Sequence, residues 1–251
     1  MISMYRNDPS PIVSIIIPAM NERRTITQVI REASKVHPKS EIIVVANGSV
    51  DGTESLAEKL GARVIYGAEP LGHDVGRSVG TESAKGNVLL FIDGDMIIPA
   101  VHLRPFVRSV LSGVDVALNK YDGPIHRTQI HRVVLSKHIL NLVLSRADLK
   151  GASLTAIPHA LSRKAVETVG AEHLSIPPLA HAMAVRQGLT VEAVYAVEVG
   201  RMNPSRVKIK GEDPLEQIVV GDHLEAIYWI TERYGERGGF EDLGRIRSMV
   251  R

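Results

Sequence analysis

The first half of the chain alternates short apolar runs with segments in which apolar residues recur at helical spacing. Runs typical of strands cover residues 12–17, 41–46, 63–66 and 87–93. Helical patterns cover residues 22–36, 49–61 and 74–85, and in the second of them Ser49 or Asp51 is the candidate N-cap and Gly61 the stop. Strands that are apolar on both faces and separated by helices predict an α/β fold, with a mostly parallel sheet between two layers of helices.

The pattern is looser after residue 119. It predicts a basic, apolar helix over 127–146, a strand over 153–158, helices over 163–170 and 178–188, a strand over 190–197, and a helical arm over 213–235 with a break at Gly221 and a stop at Gly235. The helix over 127–146 carries an apolar stripe formed by Ile130, Val133, Val134, Ile139, Leu142 and Val143. We expect this stripe to face the core, with contact to a membrane surface as the alternative.

Composition narrows the class of protein without naming a function. The chain has 251 residues, 44% of them hydrophobic and 23% charged, and its net charge of +2 gives no reason to expect a nucleic-acid partner. The absence of cysteine excludes disulfides and thiolate metal sites. The first ten residues are polar and no run approaches the roughly 20 apolar residues of a membrane span, so we expect a cytoplasmic protein.

Polar or glycine-bearing segments follow each of the four predicted strands of the first half. They read PAMNE (18–22), NGSVDGT (47–53), GAEPLGHDVGR (67–77) and DGDM (93–96). Because ligands bind beyond the carboxyl ends of the strands in such sheets, we expect the four segments to form one site. Asp93 and Asp95 fit a metal site completed by substrate phosphates, and on this motif alone a turn fits equally well.

Together the segments VSIIIPAMNE, EIIVVANGSVDGT and GRSVGTESAKGNVLLFIDGDM, in this order, resemble GT-A glycosyltransferases, particularly glycosyltransferase family 2 and retaining relatives such as the glucosyl-3-phosphoglycerate synthases. The resemblance implies the GT-A, or nucleotide-diphospho-sugar transferase, fold, with a mixed, mostly parallel sheet. It implies a nucleoside diphosphate sugar donor, a UDP-sugar in the first place, and Mn²⁺ or Mg²⁺ as cofactor. Residues 11–120 would form the nucleotide-sugar-binding half, 121–200 the acceptor-side half of the same domain, and 201–251 a helical C-terminal arm.

The resemblance also assigns residues. The donor-binding set is Pro18, Ala19, Met20, Glu22, Asn47, Ser49, Gly72, Arg77, Asp93, Gly94 and Asp95. Within it Asp93 would meet the ribose and the metal, Asp95 would bind the metal, and Arg77 would neighbour the diphosphate, and these three form the catalytic set. From the residues alone, Glu22 also fits the acid of a first helical turn, and Arg77 a surface arginine of a helix.

The chain departs from the family pattern at two places. Ala46 and Asn47 stand where the family commonly has two acidic residues, which leaves the base of the donor open. Pro177 and Pro178 stand where an acidic pair is often seen, and no carboxylate lies between Glu172 and Glu192. Either the base comes from elsewhere, or the reaction retains the anomeric configuration without a conventional base, or the chain has lost transferase activity, and we favour retention. A non-catalytic nucleotide-sugar-binding protein and a sugar-nucleotidyltransferase are the alternatives, although the glycine-rich start of the latter is missing after the first strand.

Further candidates lie in the second half. His181 fits a third metal ligand or a core histidine, and His159, Arg201 and Asn203 fit contacts to the acceptor. The basic segment 205–211 fits a loop over phosphate or a solvated loop. An aromatic content of 4% favours a small or lipid-linked acceptor over a polysaccharide. Peripheral membrane contact and a homodimer stay open.

Overall fold

A computed structural model describes residues 5–67, 69–125, 129–199 and 214–249. In this part of the chain one sheet of seven strands has the order β3-β2-β1-β4-β6-β5-β7. The strands are β1 Val13–Ala19, β2 Ser40–Asn47, β3 Arg63–Gly67, β4 Val88–Phe91, β5 Val116–Asn119, β6 His159–Ser162 and β7 Val191–Tyr195. β6 runs antiparallel to β4 and β5, whereas the other pairs are parallel. The predicted mixed, mostly parallel sheet is confirmed.

Helices cover both faces of this sheet. They are α1 Ile26–Ala33, α2 Thr53–Lys59, α3 Val75–Ser83, α4 Ala100–Leu111, α5 Arg132–Val143, α6 Arg163–Val169, α7 Pro177–Arg186 and α8 Pro214–Tyr234. Ile15 and Ile17 of β1 pack with α1, α2 and α4, whereas Ile16 belongs to the core on the opposite face with α6 and α7. Successive strand residues point to opposite faces, so a β-branched run with no polar interruption produces two buried faces.

The elements of the first half lie within a few residues of their predicted positions, but α4 and β5 were not predicted. The strand predicted over 153–158 is wrong, because those residues form turns and the strand begins at His159. Pro158 explains the shift, since proline has no N–H to donate to a sheet and strands commonly begin after it. The predicted break at Gly221 is also wrong. A Cβ at Gly221 would meet nothing within 4 Å, and the helix continues until Gly235, whose φ is +83°.

The apolar stripe of α5 is divided between the core and the surface. Val134 is buried, as predicted, but Ile139 and Leu142 are 40% and 58% exposed, so the expectation that the whole stripe faces the core is wrong. The buried face of α5 instead includes Lys137 and Asn141, because the helix packs against α7 and α8 along that side. No helix in the described ranges is long and apolar enough to cross a membrane.

The single sheet combines strands from residues 13–195, so both predicted halves contribute to it. Beyond them, α8 packs on α5 and α7 around Leu140, Ala182 and Ile230. The division into a donor half, an acceptor half and an arm stays a prediction.

Candidate active site

A pocket of about 160 Å³ lies at the carboxyl ends of β1, β2 and β4, beside the start of α3. The residues that line it come from the four predicted strand exits: Pro18, Ala19, Met20, Glu22, Asn47, Gly72, His73, Asp74, Gly76, Arg77, Asp93, Gly94 and Asp95. The structure thus brings together all of the predicted donor residues except Ser49. Parallel strands that end at one edge of a sheet explain how segments more than 70 residues apart meet here.

The loop that carries the two aspartates is fixed against the end of β1. The backbone N–H of Gly94 donates to the carbonyl of Pro18 (3.1 Å), and the hydroxyl of Thr25 donates to the carbonyl of Gly94 (2.7 Å). A Cβ on Gly94 would lie 2.9 Å from the Cβ of Ala19, so a larger residue would displace the loop. The backbone between Asp93 and Asp95 is therefore held in place by contacts that do not involve their carboxylates.

Arg77 connects α3 to this loop. Its side chain is buried, with Nη1 2.8 Å from Oδ1 of Asp74 and Nη2 donating to Oδ1 of Asp93 at 3.3 Å. Burial by itself lowers the pKa of Arg77, but the charges of Asp74 and Asp93 outweigh that effect and raise the pKa above its ordinary value. Arg77 is consequently a fixed, buried cation at the pocket wall, and the reading as a surface arginine does not apply.

Close packing of α3 on the sheet places Arg77 there. A Cβ on Gly80 would lie 2.5 Å from Cγ2 of Ile16, and one on Gly76 would lie 3.1 Å from Cβ of Pro18. Two glycines one turn apart give α3 a face that lies almost directly on β1. Arg77 directly follows Gly76, so the close packing of the α3 backbone on β1 sets the position of its guanidinium.

Four carboxylates line the pocket, those of Glu22, Asp74, Asp93 and Asp95. Burial raises the pKa of Glu22, the charge of Asp95 raises it next, and Asp51 and Asp93 add to the effect, while a hydrogen bond from Thr25 lowers it. Glu22 precedes α1, which has no acidic residue in its first turn, so its reading as a helix-dipole acid does not hold. Each of these negative charges disfavours ionisation of the others. A bound cation would stabilise the ionised carboxylates.

The described residues do not form a complete protein metal site, because no group of three or more histidine, aspartate or glutamate side chains is arranged to hold an ion. Asp93 and Asp95 present two carboxylates beside the pocket, which is the number that Mg²⁺-type sites take when substrate phosphates supply other ligands. The donor set therefore fits a hard divalent cation bound together with a diphosphate.

His181 does not line this pocket. It is completely buried on α7, and its Nε2 lies 2.8 Å from Oδ1 of Asn141 on α5. Burial, followed by the charges of His223 and Arg146, lowers the pKa of His181 to about 3. The structure thus places His181 as a neutral histidine between two helices rather than beside the aspartates.

Asn47 and Ser49 hold neighbouring loops together. The amide of Asn47 donates to the carbonyl of Gly72 (3.2 Å), and its Oδ1 accepts the N–H of Leu71. Ser49 accepts the N–H of Asn21 (3.1 Å) and donates to the carbonyl of Ala19 (3.4 Å). Both polar ends of Asn47 are bonded to a backbone loop in this conformation, so its role as reader of the base stays a prediction.

His159, another candidate of the second half, does not line the pocket. His159 is 2% exposed, its Nδ1 lies 3.0 Å from the carbonyl of Ala156, and its ring stacks on Phe91 at 5.0 Å between centroids. Burial, followed by the charge of Arg77, lowers the pKa of His159 to about 3, so it is a neutral core residue. Arg201, Asn203 and the segment 205–211 lie outside the described residues.

A second cavity, of about 450 Å³, adjoins the first and shares His73, Arg77 and Asp93 with it. Its other walls come from α5, α8, the segment after β5 and the turns before β6. This cavity was not predicted from the sequence, because its residues belong to separate segments without a common motif. The available signal was Lys137, a cation on the same face of the helical pattern as the apolar Val133 and Val134.

Comparisons with known proteins agree with this geometry. The family model described as glycosyl transferase family 2 matches residues 14–167, more than half of the chain. Glycosyltransferase AglE of Haloferax volcanii is 37% identical over 93 residues, which are 34% of this chain and 31% of that protein. Glucosyl-3-phosphoglycerate synthase of Mycobacterium tuberculosis is 34% identical over 132 residues, or 47% of this chain and 40% of that protein. The chain thus matches less than half of the length of these relatives.

Among solved structures, the M. tuberculosis glucosyl-3-phosphoglycerate synthase in complex with Mn²⁺, UDP and glucosyl-3-phosphoglycerate has a TM-score of 0.62. The match covers 93% of this chain and 82% of that one, at 21% identity, and it shows that the two share a fold. The GT-A fold implied by the motifs is confirmed, and the extent of the family match establishes that the chain belongs to glycosyl transferase family 2.

Proposed function

We propose that this protein transfers a sugar from a UDP-sugar to a small or lipid-linked acceptor, with Mn²⁺ or Mg²⁺ as cofactor. The observation that carries the proposal is the convergence of four strand exits on one pocket that contains Asp93, Asp95 and the buried Arg77. The solved M. tuberculosis synthase, which shares the fold, binds UDP and Mn²⁺, and this supports both the donor class and the metal.

Arg77 would act on the departing diphosphate. Breaking the bond between the anomeric carbon and phosphate builds negative charge on the diphosphate, and a cation fixed beside it lowers the barrier because little reorganisation is needed. Arg77 is already fixed by Asp74 and Asp93 before a ligand arrives. A divalent ion held by Asp93 and Asp95 would supply Lewis-acid stabilisation of the same charge.

The first turn of α7 offers no protein base for the acceptor hydroxyl. The first turn of α7, where the family often places an acidic pair, contains the buried Pro177 and Pro178 and no acidic residue. This absence in α7 supports a retaining reaction, in which the departing diphosphate itself can accept the proton of the acceptor hydroxyl.

The test is a calorimetric titration of the purified protein with UDP and with GDP, each in Mn²⁺ and in EDTA. We expect binding of UDP in Mn²⁺ that is lost in EDTA, with GDP binding more weakly. Equal binding with and without metal would contradict the metal assignment, and no binding of either nucleotide would contradict the donor assignment.

Slow hydrolysis of UDP-glucose or another UDP-sugar then separates a transferase from a binding protein. A transferase transfers its sugar slowly to water in the absence of an acceptor, and the anomer released first reports retention or inversion. Metal-dependent binding of UDP-sugars without any hydrolysis or transfer would favour the non-catalytic alternative.

A further inference from the structure

The second cavity combines an apolar wall with a few polar groups. Apolar contacts come from Met96, Val134, Ile157, Leu215 and Val219, which belong to four separate segments of the chain. The cavity opens onto Arg77 and Asp93, so a molecule in it would lie beside the first pocket, which we propose as the donor site and call the donor pocket. A mostly apolar cavity with a few polar groups is typical of a site for a small ligand.

Lys137 is the unusual residue of this wall. It lies on the buried face of α5 and is 7% exposed, with Nζ 5.1 Å from the centre of the Tyr121 ring. None of the carboxylates in the described ranges lies within ion-pair distance of it. Burial, followed by the charge of Arg77, lowers its pKa to about 8, while Asp74 acts in the opposite direction.

The other charges of the wall already have partners. Arg77 contacts Asp74 and Asp93, and Glu216 lies 3.7 Å from Nε2 of His131. Removing an ammonium from water is unfavourable unless an opposite charge or hydrogen bonds compensate for it. An anionic group of a ligand beside Lys137 would compensate for part of the unfavourable burial of its ammonium. The part of the cavity beside Lys137 is therefore selective for acidic molecules.

Thr155 adds a second polar contact to the same cavity. Its Oγ1 is buried and has no hydrogen-bond partner among the described residues. A hydroxyl in that state can donate to an oxygen of a bound molecule, and leaving it unsatisfied is unfavourable.

We propose that this cavity binds the acceptor and that Lys137 recognises an anionic group on it, a phosphate or a carboxylate, while the apolar wall covers the adjoining carbon skeleton. The proposal rests on the proposed function, because it takes the neighbouring pocket to be the donor site. Lys137 lines the second cavity and not the first, which assigns its charge to the acceptor rather than to the diphosphate.

The test compares charged and neutral probes at saturating UDP and Mn²⁺. One pair is glycerol 3-phosphate with glycerol, which represents a small acceptor, and the other is dodecyl phosphate with dodecanol, below the micellar concentration, which represents a lipid phosphate. We expect the charged member of one pair to bind, and Lys137→Met to weaken it about 10- to 100-fold, the range of a charge-assisted hydrogen bond. Binding of neither charged probe to the wild type would overturn the proposal.

Controls separate this role from a structural one. Lys59→Met removes an exposed lysine of α2 that lines neither cavity, so it should leave the affinity for the charged probe unchanged. Lys137→Met should leave the affinity for UDP unchanged and should raise the melting temperature, since it removes a buried charge. Lys137→Gln provides the same comparison with a polar, uncharged side chain if the methionine variant does not fold.

The outcomes distinguish this proposal from the proposed function. Failure of the wild type to bind UDP would contradict the donor assignment, while the charged probes could still be titrated into the protein alone. An equal loss of UDP and of the charged probe in Lys137→Met would place Lys137 in the donor site and overturn the inference. Unchanged affinity for the charged probe in that variant would overturn it as well.

Discussion

The two cavities that meet at Arg77 and Asp93 are built in different ways. The donor pocket is formed by strand exits whose backbones are bonded directly to one another, as Gly94 is to Pro18. The second cavity, here called the acceptor cavity after the proposal above, is formed by side chains of α5, α8, the segment after β5 and the turns before β6, which come from remote parts of the chain. Between α5 and α8 the polar contacts are long, with Glu216 3.7 Å from both His131 and Arg132.

The geometry of the donor pocket is thus set by backbone contacts, whereas the ligand preference of the acceptor cavity is set by side chains. Backbone contacts around Gly94 leave little freedom for the aspartate loop, which suits a donor and metal site that requires accurate geometry. The wall of the acceptor cavity can be altered by substitution on a helix surface without disturbing the sheet. We therefore expect substitution of a few residues of the donor pocket to reduce the affinity for the donor strongly. We expect the identity of the acceptor to depend on residues of the helix surface, such as Lys137, that can be replaced without disturbing the sheet.

The largest effect should come from the aspartate loop. Asp95→Asn keeps the shape of the side chain but removes its charge, and we expect metal-dependent UDP binding to disappear and transfer to fall about 10³-fold or more. Calorimetry with UDP and Mn²⁺ measures the first effect, and steady-state transfer the second. Asp148→Asn is the matched control, because Asp148 is exposed and pairs with Arg146 on the surface. Metal-dependent binding that survives in Asp95→Asn would remove Asp95 from the site.

Buried histidines should make the second half sensitive to mild acid. Burial lowers the pKa of His159 and His181 to about 3 and of His223 to about 4, against an ordinary value of 6.5. A depressed histidine pKa gives stability that is complete above pH 6.5 and is lost as the pH falls toward the folded pKa. We expect urea unfolding to show a loss of about 1–2 kcal/mol for each of the three histidines between pH 7 and pH 5.

A variant can assign that loss. His181→Gln retains a polar group for Asn141 but does not titrate, so the difference in unfolding free energy between pH 7 and pH 5 should shrink by about a third. His37→Gln is the control, because the contacts of the partly exposed His37 ring with the backbone of Lys39 are local. An unchanged pH dependence in His181→Gln would show that His181 is accessible to water.

The first half of the chain was easier to predict from the sequence than the second half. Regular alternation placed β1 to β4 and α1 to α3, and the polar exits placed the donor pocket, because parallel strands bring successive exits to one edge. It did not predict β5, which lies between β6 and β7 in the sheet, nor the pairing of β6 with β4, since both depend on contacts between distant segments. His181 was weighed as a ligand because a sequence does not show whether a histidine on an apolar helix faces a site or another helix.

Packing of α3 on the sheet should be the next most sensitive feature. In Gly80→Ala the new Cβ would lie 2.5 Å from Cγ2 of Ile16 in the rigid core, so we expect a loss of about 1–3 kcal/mol in the free energy of unfolding. Gly221→Ala is a matched control with the opposite sign, because its Cβ would meet nothing within 4 Å and alanine favours a helix by about 1 kcal/mol. Denaturant unfolding measures both, and a neutral Gly80→Ala would show that α3 can move away from β1.

The smallest effect concerns Asp222 of α8, whose carboxylate interacts electrostatically with Asp74 of the donor pocket. Burial raises the pKa of Asp222 to about 6, with further contributions from Asp74 of the donor pocket and from Glu225, against an ordinary value of 3.8. A raised carboxyl pKa means that ionisation destabilises the folded state, a cost that is absent below pH 3.8 and complete above about pH 6. Asp222→Asn should therefore stabilise the protein by about 1–2 kcal/mol at pH 8 and by much less at pH 4.5.

Unfolding in urea at these two pH values checks the sign as well as the size. The exposed Glu225 serves as the control, since Glu225→Gln removes only the last of the three contributions to the pKa of Asp222 and should change stability by a few tenths of a kcal/mol. A gain that is equal at both pH values would come from the amide's own contacts and not from relief of charge. It would also contradict an electrostatic connection between α8 and Asp74, so that His73, Arg77 and Asp93 alone among the described residues would connect the two cavities.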